Sequence, residues 1–72
     1  MMISTAQLRG ARAMLGWTSS ELAKHCQIHR RTIRKVERGE ARPQRMTLAR
    51  IVAALAAGGI EFRDGGVRLI RE

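Results

Sequence analysis

Aromatic residues, cysteine and proline are nearly missing from this sequence: one tryptophan, one phenylalanine, no tyrosine, one cysteine and one proline in 72 residues. A lone Cys26 permits no intrachain disulfide and supplies no zinc-finger spacing, which points to a reducing compartment. No apolar run approaches the roughly 18 residues of a membrane span, and the stretch MMISTAQLRGARAM lacks the apolar centre of a signal peptide. The expectation is a soluble, unprocessed, cytoplasmic chain with no membrane partner. With only Trp17 and Phe62 as aromatics, no platform exists on which unpaired RNA bases would stack. Catalysis also lacks its materials. His25, Cys26 and His29 lie close in sequence, but they read as a surface histidine, a core thiol and a helix cap, and no fourth ligand completes a metal site. No enzyme, metal or cofactor is expected.

Acidic residues are scarce as well. Six Asp+Glu stand against 14 Lys+Arg, a formal charge of +8 on a chain long enough for one domain with one small core. Such an excess predicts attraction to nucleic acid or to an anionic surface, although basic residues also simply keep small domains soluble. Their distribution is more informative. Between positions 30 and 45 the basic residues are Arg30, Arg31, Arg34, Lys35, Arg38, Arg42 and Arg45, with only Glu37 and Glu40 opposing them. The footprint is local, on one helix and the loop after it.

Four helices can be read in order. Ser4 with Gln7 forms a capping box, Leu8, Ala11 and Leu15 follow at helical spacing, and Gly16 ends the first helix. Thr18 with Glu21 forms a second box, opening a helix from about Ser19 to Cys26 that turns Leu22 and Cys26 inward. Trp17, just before the cap, packs back on the domain, and Ala23 lets the next helix cross closely. Gln27 then falls where a left-handed backbone usually calls for glycine. The third helix has His29 at its cap, Ile33 and Val36 inside, and Gly39 as its stop. Arg30, Arg31, Arg34 and Lys35 are thereby left outside, and a helix this basic suits the major groove of B-DNA. Pro43 marks a loop and restrains Arg42 to an extended shape. The fourth helix, from about Arg45 or Met46 to Ala57, carries Leu48, Ile51, Val52 and Leu55 as its inward stripe, and Gly58-Gly59 terminates it.

After residue 59 the period changes from helical to alternating, and Asp64-Gly65 is a favoured two-residue hairpin turn. That turn sets Phe62 opposite Val67, Ile60 opposite Leu69 and Glu61 opposite Arg68, whereas a Gly65-Gly66 turn would oppose Arg63 to Arg68. A lone hairpin is marginal in water, so its apolar face must rest on the helices or on a second copy of the chain. Residues 1–58 are thus read as a helix-turn-helix DNA-binding domain, and residues 59–72 as a β-hairpin tail that either caps the core or serves dimerisation.

The segments LGWTSSELAKHC, QIH and RRTIRKVERGEARP resemble the phage-repressor and Cro-like (XRE) family of helix-turn-helix regulators, over about residues 2–57. The resemblance implies a mostly α, four- to five-helix repressor-like fold, here with a short C-terminal β-hairpin. It implies base reading by Arg30, Arg31, Arg34 and Lys35, with phosphate contacts from Ser19, Ser20, His29, Arg38, Arg42 and Arg45. It also implies a structural ion pair between Arg12 and Glu37. Two positions depart from the family pattern: Ser19 and Ser20 stand where a glutamine is common, and His29 replaces a Ser or Thr cap. The expected partner is double-stranded DNA, bound by a homodimer that forms through the hairpin or otherwise. The expected role is a transcriptional regulator that represses by occupancy, located in the cytoplasm at the nucleoid. The alternative is an adaptor or antitoxin-like module whose apolar tail binds a protein partner.

Overall fold

Residues 3–70 are described by the computed structural model; residues 1–2 and 71–72, where the family resemblance begins and the tail ends, lie outside them. Four helices come first, α1 (Thr5–Met14), α2 (Ser19–Cys26), α3 (Arg30–Glu37) and α4 (Arg45–Ala57). An antiparallel pair follows, β1 (Ile60–Arg63) and β2 (Gly66–Leu69). The mostly α fold expected of the sequence is therefore present, with four helices and the hairpin.

Local chemistry sets the helix ends. In α1 the Gln7 backbone N–H donates to Ser4 Oγ at 3.0 Å, while Gln7 Oε1 accepts from the Ser4 N–H at 2.8 Å. Thr18 and Glu21 repeat this box for α2 at 3.1 and 3.0 Å, and the hydrogen bonds from Thr18 hold the Glu21 carboxyl below its ordinary range. Helix α3 ends with Gly39 at φ +75°, which lets the Glu40 N–H return to the Lys35 carbonyl at 2.9 Å. Gln27 makes the equivalent stop for α2 at φ 58° and ψ 45°, with Ile28 N–H on the Ala23 carbonyl at 3.0 Å. Among the described residues it is the one non-glycine with positive φ.

The four helices and β1 contribute to one core. Leu8 and Ala11 of α1, Leu22, Ala23 and Cys26 of α2, Ile33 and Val36 of α3, Ile51 and Leu55 of α4 and Ile60 of β1 are all buried. Two expected stripes are narrower than their spacing suggested. Leu15 sits half-buried at the edge, and on α4 only Ile51 and Leu55 reach the interior while Leu48 and Val52 stay half-exposed. Helix α4 rests mainly on α2 and β1, and these cover less of its circumference than its apolar positions span.

The hairpin has the register set by the Asp64-Gly65 turn: Ile60 opposite Leu69, Glu61 opposite Arg68 and Phe62 opposite Val67. Its apolar face rests on this chain's own helices, with Phe62, Val67 and Leu69 packed against the core beside buried Ile60. Gln7 fastens it. The side-chain Nε2 of Gln7 donates to the Arg63 carbonyl at 2.8 Å and to the Gly66 carbonyl at 3.0 Å, at the two strand ends flanking the turn. On the outer face Glu61 Oε1 accepts from Arg63 Nε at 3.0 Å and faces Arg68 Nε at 3.4 Å, and these cations draw its carboxyl below the ordinary range.

Candidate nucleic-acid interface

The turn between α2 and α3 presents α3 from behind. Ile33 and Val36 hold it to the core, and His29 caps it by accepting the Arg31 N–H on Nδ1 at 3.0 Å. Acceptance at Nδ1 places the proton of the neutral ring on Nε2, which leaves one donor for an outside group. Arg30, Arg31, Arg34, Lys35 and Arg38 are all exposed, and with His29 they line one shallow depression of about 510 Å³.

The acidic residue of this helix is turned the other way. Glu37 is only 7% exposed, and its Oε2 accepts from Arg12 Nε at 2.5 Å while its Oε1 accepts from Ser19 Oγ at 3.0 Å. Arg12 Nη1 also donates to the Trp17 carbonyl at 2.8 Å, so one half-buried cluster joins α1, the start of α2 and the end of α3. Withdrawing Glu37 strips the outer side of α3 of negative charge. Among the described residues, none of Arg30, Arg31, Arg34 and Lys35 has a carboxylate within ion-pair distance.

Ser19 was expected at a phosphate, but its hydroxyl is engaged inward with Glu37 because the first turn of α2 lies against the end of α3. Ser20 is half-buried and shows no such engagement among the described residues. Arg38 faces Glu40 at 3.7 Å, a weak exposed pair, so its charge is partly answered. Arg42 and Arg45 are exposed but line a separate groove toward α1, so the structure does not gather them with the α3 cluster. Trp17 packs against the core and stacks on His25 with ring centroids 4.0 Å apart and planes at 10°. Two interactions carried no sequence signal: the Ser19 contact with Glu37 and the Gln7 clamp on the hairpin.

A family model described as a helix-turn-helix domain matches residues 5–64. The chain belongs to the helix-turn-helix domain family. The matched stretch reaches the hairpin turn, so it extends past the limit near residue 57 read from the motifs, and it agrees with the phage-repressor and Cro-like resemblance. A search of curated proteins found no match. Within this helix-turn-helix domain the fold is that of a DNA-binding module, and among the described residues no helix is long and apolar enough to cross a membrane.

Proposed function

We propose that this domain is a sequence-specific double-stranded DNA-binding regulator that represses by occupying its site, with α3 in the major groove. The observation that carries the reading is the unopposed cation row on α3, created by burying Glu37 against Arg12. Arg30 and Arg31 stand at the N-terminal end, the part that a recognition helix directs at base edges, with Arg34 and Lys35 behind them. An arginine fork bonds guanine O6 and N7 together, so Arg30, Arg31 and Arg34 are assigned to base reading, with the Lys35 ammonium as a further donor to the same guanine acceptors. Phosphate contacts fall to Ser20, the free ring nitrogen of His29, Arg38, Arg42 and Arg45, which fix register without reading sequence. A homodimer would read half-sites about 10 base pairs apart.

Selection of bound fragments from random duplex DNA at stated salt tests the proposal. On the selected site, Arg31→Ala should cost roughly 1 to 3 kcal/mol and relax the preference at one position. Arg42→Ala should weaken selected and random duplexes alike and lower the salt slope by about one unit. Equal losses from both variants on both kinds of DNA would remove the base-reading role. The adaptor or antitoxin-like alternative has less support, because the tail's apolar face is already occupied by α1, α4 and the core.

A further inference from the structure

A second depression lies beside the interface. The start of α1, the end of α3, the loop before α4 and the first half of α4 enclose a half-open groove of about 780 Å³. Its floor is sealed by buried Leu8, Val36 and Ile51, and its walls are Ile3, Pro43 and half-exposed Leu48. Arg42 and Arg45 complete its lining. Both are exposed, and among the described residues no acidic residue lines the groove and neither arginine has a carboxylate partner.

We propose that this groove binds a small amphipathic carboxylate, its apolar chain against Leu48 and Pro43 and its headgroup held by Arg42 and Arg45. Size and charge select that occupant. The volume falls within the roughly 300 to 1,000 Å³ of small-molecule sites, which are lined mostly by apolar groups with a few polar anchors. The charged anchors here are two guanidinium groups, whose planar forks take a carboxylate in paired hydrogen bonds. A neutral apolar molecule would gain no attraction from the two exposed cations. Because the same arginines are assigned to DNA phosphates, an occupied groove would weaken DNA binding, and DNA would weaken ligand binding by the same factor. This coupling rests on the DNA-binding reading above; occupation of the groove does not.

The test is titration of octanoate into the isotope-labelled full chain, followed by amide chemical shifts, with octanol and acetate as controls. Saturable shifts at Ile3, Ala41 and Leu48 are expected with octanoate. Octanol on the wild type, and octanoate on the Arg42→Gln/Arg45→Gln variant, should bind at least about tenfold more weakly, the ratio that losing one charge-assisted contact produces. Octanoate should also weaken duplex binding by the wild type, not by the double variant. Three results would overturn the proposal: no saturation by about 5 mM, a range already at the weak limit of specific binding; equal binding of octanol; or shifts confined to the outer face of α3. Groove shifts from a protein that binds no duplex would retain the site while removing the DNA reading.

Discussion

Replacing Gln7 by Glu sets two parts of the structure against each other. Viewed as a helix end alone, the change is favourable: the third position of α1 already completes a capping box with Ser4, and Glu is a preferred residue there. A carboxylate in the first turn should gain about 0.3 to 1 kcal/mol from the helix dipole. The hairpin reverses the sign. Gln7 is 9% exposed, and its Nε2 donates to two carbonyls at 2.8 and 3.0 Å, so in the variant an acceptor oxygen meets two acceptor oxygens. Losing two hydrogen bonds at about 0.5 to 1.5 kcal/mol each outweighs the dipole term even before the repulsion is counted.

A net loss of about 2 kcal/mol follows, which for a domain of this size corresponds to roughly 8 to 16 °C in melting temperature. Circular dichroism against temperature measures it, and amide exchange locates it: the hairpin should lose protection ahead of α2 and α3. Acidification, by returning a proton to the new carboxyl, should narrow the gap to the wild type. A variant melting at or above the wild-type temperature would refute the clamp.

Four further outcomes are expected. Gln27→Gly should raise the melting temperature by a few degrees, since a left-handed non-glycine costs roughly 1 to 2 kcal/mol and glycine's extra chain entropy takes back only part of that; a clear fall would mean the side chain supports the turn. Gly10→Ala should stabilise α1 by up to about 1 kcal/mol in urea unfolding, because the added methyl would meet Val67 Cγ2 at an ordinary 3.5 Å; destabilisation would show a tighter contact between α1 and β2. Burial pushes the Cys26 thiol up to about 11, so iodoacetamide at pH 8 should modify the native chain far more slowly than the urea-unfolded one. The same shift favours the fold fully below about pH 8.5, where an unfolded thiol begins to ionise, and that contribution is lost as pH climbs toward 11; a Cys26→Ala variant lacking the added alkaline loss, relative to wild type, checks it.

What could be read from the sequence was chemistry acting over a few residues. Ser4 with Gln7, Thr18 with Glu21 and the Asp64-Gly65 turn each join groups close along the chain, so spacing alone predicted the caps and the strand register. The inward pair Ile33 and Val36 was legible because a helix that carries so few apolar residues has only one way to bury them. Distant partners were less legible. The clamp from Gln7 ends on backbone carbonyls, and these look the same under every side chain. Ser19 is engaged by Glu37 only because α3 ends beside it, which depends on the angle between helices and not on local spacing. The half-exposed Leu48 and Val52 show a third limit: periodicity orients a helix face, while the elements packed on it decide how much is covered.

The basic helix also poses a problem of stability that Glu37 helps to resolve. Arg30 with Arg34, Arg31 with Lys35 and Arg34 with Arg38 are like-charged neighbours one turn apart, each opposing the helix by about 0.2 to 0.5 kcal/mol. Together they oppose it by about 1 kcal/mol, similar to what one good cap returns. An outward Glu37 would relieve part of that repulsion, but it would place a carboxylate on the face proposed to enter the DNA groove. Turned inward, it fixes α3 to α1 and α2 through Arg12 and Ser19 at little cost in exposed charge balance. Removing Arg12, which is itself partly exposed, would leave a nearly buried carboxylate without its cation, a change that costs up to about 3 to 5 kcal/mol. The free helix therefore retains its mutual repulsion, held in place by the His29 cap, the Gly39 stop and two buried aliphatic side chains. On the proposed reading, DNA removes this repulsion: as the polyanion approaches, the charges that strain the free helix would become binding energy, and added salt, which eases the strain, would weaken the binding.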